Sequence, residues 1–199
     1  FDTSKDESDF RFFVRENKLF IFETNKEETK KTYHYIDLSD ETYEIKEFVI
    51  PKSEDFTYLY SNRNIVYYTD TKYDWGDVRS FNINNPNEEV SVIPQIYSHL
   101  LVDTDFKEEY IICKYKGLGK YYINIHKYDG TFVRKFEAPM GMNFNIRFLD
   151  PKTNELYVTF YSYTISYLNY KLNITTGDTN VYYNDFIRPK PTLFPFDHF

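Results

Sequence analysis

Apolar and polar positions along this chain alternate in short runs, nearly all of them four to eight residues long, separated by polar or Gly/Pro-containing breaks. That is the period of half-buried strands, and no stretch holds the 3.6-residue period of an amphipathic helix. The pattern predicts strands at 10–14, 18–24, 32–38 and 43–50, the last ended by Pro51, with a turn at Glu16-Asn17 and a charged link from Asn25 to Lys31. The cycle then restarts. Strands are expected at 56–60, 65–71, 78–83 and 89–93, with a loop from Tyr73 to Asp77 and an Asn/Pro turn over 84–87. A third round runs 99–103, 110–115, 121–127 and 132–137, with tips at Gly117-Leu118-Gly119 and Asp129-Gly130. The fourth runs 144–149, 156–161, 167–172 and 180–183, with a turn at Thr176-Gly177.

Two sets of anchors test this period. Leu19, Ile65, Ile111 and Leu156, all in second strands, follow one another at intervals of 46, 46 and 45 residues. Ile36, Ile83, Ile125 and Leu172, in third strands, follow at 47, 42 and 47. Four short strands in a unit of about 45 residues is the spacing of a β-propeller blade. Short strands at regular spacing also suit a β-sandwich, but the four-fold phase favours the propeller. The fold class expected is therefore all-β, with about four four-stranded antiparallel blades over residues 1–187. Residues 188–199, RPKPTLFPFDHF, read as a Pro-rich exit linker. Because the chain opens within the pattern, the expectation is a part of a larger propeller.

Composition sharpens this picture. Aromatic residues make up 21% of the chain, with 21 Tyr and 19 Phe against 6 Gly. Flat rings suit a pleated surface, and the tyrosine hydroxyls explain how a chain of mean hydropathy −0.63 still packs a core. The net charge of −7 argues against a nucleic-acid partner. No apolar run approaches the ~20 residues of a membrane-spanning helix. A single cysteine, Cys113, excludes an internal disulfide and fits a reducing compartment. The localisation expected is cytoplasmic, or secreted or lipid-anchored if a signal precedes Phe1.

Candidate chemistry is sparse. No serine stands in a G-x-S-x-G elbow, so the sequence offers no catalytic residue of that kind. The four histidines, His34, His99, His126 and His198, never fall at metal-ligand spacing, and Cys113 reads as a small buried residue; no metal or cofactor is expected. Asn173-Ile174-Thr175 forms a glycosylation triplet. The candidate binding residues are Asp70, Asp74, Trp75 and Asp77. They sit in TDTKYDWGD, where three carboxylates around the only tryptophan could take a cation or a basic peptide side chain.

The last round carries a family resemblance. Glu155 to Thr164 (ELYVTFYSYT), then Tyr170-Lys171-Leu172 and Thr175-Thr176-Gly177, resemble the propeller of the prolyl oligopeptidase family of serine peptidases, which includes oligopeptidase B. There a similar aromatic-Ser-aromatic-Thr strand precedes a Thr-Gly turn, and Phe196-Asp197-His198-Phe199 resembles the FDxxxF/Y element leading into the catalytic domain. The family's proline after the Ser-aromatic-Thr element is replaced by Ile165-Ser166-Tyr167, and the last element is shortened. The resemblance implies about four blades of a seven-bladed propeller. It also implies a covalently linked α/β-hydrolase domain outside this chain that holds the Ser, Asp and His, and a gating role admitting only short peptides. The alternative is a stand-alone six-bladed-type or extracellular scaffold propeller, without enzymatic activity, that binds a peptide or protein. The Tyr128-to-Arg134 strand–turn–strand favours that alternative.

Overall fold

The alternating runs fold as sixteen strands among the described residues of the computed structural model, which are 8–25, 31–48, 56–139, 141–163 and 167–182. The expected exit linker, the charged link over 26–30 and the end of the expected fourth strand at Pro51 lie outside them. The strands are β1 (Ser8–Arg15), β2 (Lys18–Asn25), β3 (Lys31–Asp37), β4 (Ile45–Glu47), β5 (Phe56–Asn62), β6 (Ile65–Asp70), β7 (Val78–Asn82) and β8 (Asn85–Ile93). There follow β9 (Leu100–Lys107), β10 (Tyr110–Gly117), β11 (Lys120–Lys127), β12 (Phe132–Glu137), β13 (Asn143–Asp150), β14 (Glu155–Tyr161), β15 (Leu168–Asn173) and β16 (Thr179–Val181). Each successive four make one antiparallel meander, and all four sheets are ordered as the chain runs. This is the four-blade pattern read from the sequence.

Blade register differs from the anchors by single residues. The turns before the second strands place Leu19, Val66, Ile111 and Leu156 in equivalent positions, at intervals of 47, 45 and 45. Their third-strand partners are Ile36, Phe81, His126 and Leu172, at intervals of 45, 45 and 46. Ile65, Ile83 and Ile125 are thus each off by one or two. In runs such as IVYY both alternating sets are apolar, so hydrophobicity cannot choose between neighbours, whereas the turn residues do. The expected Asn/Pro turn over 84–87 is also corrected. The turn is Ile83-Asn84, and Pro86 belongs to β8, which among the described residues pairs only with β7 and bulges between Asn85 and Glu89. A residue without an N–H is tolerated at such an edge.

The chain divides into two compact units, Phe1–Gln95 and Ile96–Phe199. In the first, the core between the two blades is a ring-on-ring stack. Phe20, Tyr33, Tyr35 and Phe48 of the first blade face Phe56, Val66, Tyr68 and Phe81 of the second. Tyr33 stacks on Phe56 at 4.2 Å between centroids, and its hydroxyl donates to the Phe56 carbonyl at 3.1 Å. In the second unit the same interface is mostly aliphatic, with Ile112, Ile123 and Ile125 against Leu156, Val158 and Leu172. Each of these side chains is essentially removed from water, a contribution of about 1.5–3 kcal/mol apiece. The blades of this unit are also fastened at one end by Arg134, which donates to the carbonyls of Ile174 and Thr175 at 2.7 Å.

Candidate functional site

The acidic loop of the first unit leaves β6 at Asp70 and enters β7 after Asp77. Its backbone is wound by Tyr73 N–H donating to Asp70 O and Gly76 N–H donating to Tyr73 O, with Gly76 at φ 75°. The structure separates the four candidate residues into two pairs. Asp70 and Asp77 are buried, while Asp74 is exposed and Trp75 is 37% exposed.

The buried pair is occupied from within the chain. Asp70 accepts from the Lys72 backbone N–H at 3.0 Å and pairs with Lys72 Nζ at 2.9 Å; that hydrogen bond raises the pKa of Lys72. Asp77 Oδ2 accepts from Arg79 Nη1 and from Ser91 Oγ, both at 3.1 Å. Arg79 Nη2 pairs with Glu89 at 3.1 Å, and Tyr68 donates to the other oxygen of Glu89 at 2.6 Å. The guanidinium also lies 5.1 Å from the centre of the Tyr73 ring. Burial pushes the Asp77 carboxyl upward, opposed by the Arg79 charge, and burial likewise raises the Tyr68 phenol. These charges shape the loop, and of the four candidates Asp74 and the Trp75 ring face solvent.

Arg79 and Glu89 escape a reading of the loop alone, because they come from β7 and β8. The signal for Arg79 was a cation inside an otherwise small and apolar strand, VRSF, where a buried charge demands a partner.

The second unit holds a cleft of 330 Å³ where β9 and β13, the first strands of its two blades, approach each other. One wall carries Asp103 and Asp105, and Lys114 and Arg147 bring positive charge to the same cleft. Lys114 Nζ donates to the Phe144 carbonyl at 2.8 Å and lies 4.8 Å from the Phe144 ring centre; burial lowers its pKa, partly offset by Asp103. Arg147 is held by Nε donating to Thr159 Oγ1 at 3.0 Å, and Thr159 in turn donates to Asn169 at 2.7 Å. Such a cleft can hydrogen-bond a polar chain. No reading of the sequence singled it out, since its charges come from three strands and converge only when the blades pack.

Neither place carries a nucleophile with a base. Cys113 is buried, and burial pushes its thiol up to about 12. His126 lies in β11 with Nδ1 3.1 Å from the Gly130 carbonyl, and burial lowers its pKa. His34 lies in β3. Asn173 of the glycosylation triplet is engaged in its own turn, where its side-chain oxygen accepts from the N–H groups of Thr175 and Thr176. Among the described residues no three His, Cys, Asp or Glu side chains gather as metal ligands. No helix among those residues is long and apolar enough to cross a membrane.

Comparison with known proteins gives a consistent picture. Residues 4–185 match the family model described as the prolyl oligopeptidase N-terminal beta-propeller domain. No curated protein matches the chain. Among solved structures, prolyl oligopeptidase B from Galerina marginata superposes with a TM-score of 0.71 at 16% identity, over 90% of this chain and 27% of that one. Oligopeptidase B from Trypanosoma brucei gives 0.62 at 13% identity, over 86% and 27%. Oligopeptidase B from Leishmania major gives 0.60 at 12%, over 86% and 27%. At such identities the superpositions speak for the fold. The chain spans about a quarter of the length of these structures.

Proposed function

Because this chain belongs to the family of prolyl oligopeptidase N-terminal β-propeller domains, we propose that it is the non-catalytic propeller portion of a prolyl-oligopeptidase-like serine peptidase. In this reading it gates the access of short peptides to an active site outside this chain. The observation that carries the proposal is the family match over residues 4–185 in a sequence without a nucleophile elbow. A propeller over an active site acts by exclusion: a short extended peptide reaches the enclosed, water-poor site, and a folded protein does not. The partners are a covalently linked catalytic domain and a peptide, in a cytoplasmic setting.

The test is a substrate-length series on the full-length protein that contains this chain. Serine-dependent hydrolysis of short peptides, falling steeply for long or folded substrates, is the expected result. Equal rates on short and long substrates would remove the gate, and absence of serine-dependent turnover would remove the peptidase.

A second reading, a binding propeller with no enzymatic activity, draws on the exposed Asp74 and Trp75. It predicts retention of a basic peptide by the full-length protein without cleavage, and loss of that retention in Asp74→Asn and Trp75→Ala.

A further inference from the structure

Lysines on three of the strands are held by carboxylates. Lys18 pairs with Asp37 at 3.4 Å, Lys107 with Asp105 at 3.2 Å and Lys171 with Glu155 at 3.2 Å. Lys114, on β10, is held differently. It is half-buried and, among the described residues, makes no ion pair. Asp103 lies directly opposite it on β9, but Asp103 Oδ1 accepts from the Thr104 N–H at 2.8 Å. Lys114 Nζ instead donates to the Phe144 carbonyl at 2.8 Å, with the Phe144 and Tyr121 ring centres at 4.8 and 5.4 Å.

This seat fixes the nitrogen without requiring its charge. A carbonyl needs a single N–H, which a neutral amine supplies as well as an ammonium does. The two rings favour the cation modestly. Burial opposes it, and the net result is a pKa below that of an ordinary lysine, with Asp103 acting in the other direction. A lysine desolvated in this way keeps more of the free amine, whose lone pair is a nucleophile.

The same nitrogen borders the 330 Å³ cleft between β9 and β13, a volume suited to a small molecule. Ile112, Phe144 and Ile146 give the cleft apolar lining, while Asp103 and Asp105 on one wall disfavour an anion. A neutral electrophile with an apolar body meets both conditions. Among such electrophiles an aldehyde asks nothing of the site beyond the amine, because water is what leaves.

We propose that Lys114 is a covalent modification site that condenses with aldehydes carried on an apolar body. The Nζ lone pair attacks the carbonyl carbon, a C–N bond forms, and the oxygen takes one proton from the nitrogen. The resulting carbinolamine loses that oxygen as water, together with the second nitrogen proton, and leaves a C=N imine. No oxidant or reductant enters, and hydrolysis reverses the step. The inference is independent of the peptidase reading, since it needs only the blades of the Ile96–Phe199 unit.

The test treats the full-length protein with benzaldehyde and cyanoborohydride, which reduces the imine to a stable benzylamine, and follows each lysine by peptide mass spectrometry. At pH 7 Lys114 should be benzylated severalfold faster than the exposed Lys152. That preference should shrink as the pH rises to about 10, where ordinary lysines also release their protons. Asp103→Asn removes a carboxylate that favours the ammonium, so it should raise the Lys114 rate at pH 7 and leave Lys152 unchanged. Formaldehyde, which has no apolar body, should show a smaller preference for Lys114 than benzaldehyde does. Benzylation of Lys114 no faster than that of Lys152 at pH 7 would overturn the site, as would an unchanged or lower Lys114 rate in Asp103→Asn. An equal preference with formaldehyde would overturn the apolar class of ligand.

Discussion

Arg134 of the third blade donates from Nε to the carbonyl of Ile174 in the fourth at 2.7 Å, and from Nη2 to the next carbonyl at the same distance. One side chain thereby closes the turn of the neighbouring blade, over Gly177 at φ 87°. Charge-assisted hydrogen bonds of this kind contribute about 1.5–3 kcal/mol each when buried and less at an exposed carbonyl. Arg134→Met is expected to lower unfolding stability by about 2–3 kcal/mol, read from urea midpoints. Gly177→Ala should destabilise through its positive φ and through collision with Arg134. Combining it with Arg134→Met should recover part of that loss, and strict additivity would refute the coupling.

In the first unit the Tyr33 hydroxyl donates to the Phe56 carbonyl within a stacked pair. Tyr33→Phe keeps the ring and orphans a buried carbonyl, an expected cost of about 1–2 kcal/mol. Tyr33→Ala also empties a ring-sized space, for about 3–5 kcal/mol. Equal losses from the two variants in thermal or urea unfolding would show that packing is not what the ring supplies.

Arg79 lies between Asp77 and Glu89, with all three side chains largely buried. Removing the cation strands two carboxylates, so Arg79→Ala is expected to cost about 3–5 kcal/mol. Asp77→Asn, which keeps a hydrogen-bonding group beside Arg79, should cost less. If calorimetry ranks them the other way, the network is not held by its cation.

The carboxylates divide by the sign of their pH dependence. Hydrogen bonds from Ser39, Thr42, Thr131 and Lys152 hold Asp37, Asp40, Asp129 and Asp150 below the ordinary carboxylate range. With a folded pKa below the unfolded ~3.9, each contributes stability that is complete above about pH 4–5 and is lost as pH falls through the folded value. Asp77, raised by burial, acts oppositely: its folded form holds the proton longer, so its contribution declines as pH rises through and above the unfolded value. Replacing the four turn carboxylates by Asn should flatten the fall in urea midpoint below pH 4, whereas Asp77→Asn should remove a gain in urea midpoint that accompanies the descent of pH toward about 4 from above. A parallel shift at all pH values would contradict both assignments.

Cys113 is buried with its thiol pushed up to about 12. A thiol reagent at pH 8 is expected to label it only at the rate of unfolding. Rapid labelling of the native chain would show an open path to the sulfur.

Legibility in the sequence differed from element to element. The four rounds of four strands were readable because turn residues and apolar alternation act locally, and Leu19, Ile111 and Leu156 were placed correctly. The register at Val66 is not legible because both faces of IVYY are apolar, and Pro86 reads as a turn residue because its lack of an N–H is harmless only on an edge strand. Asp70, Asp74, Trp75 and Asp77 were visible as a cluster. Which of them face inward was not, since that depends on Arg79 and Glu89 arriving from other strands.

The sequence by itself therefore determined the strand content, the repeat near 45 residues and the resemblance in its last round, all consequences of neighbours along the chain. Tertiary structure decided which aromatic rings meet, which carboxylates are buried, and that Asp103, Asp105, Lys114 and Arg147 share one cleft. These depend on residues distant in the chain being brought together by cross-strand register, and on which faces the packed blades leave uncovered.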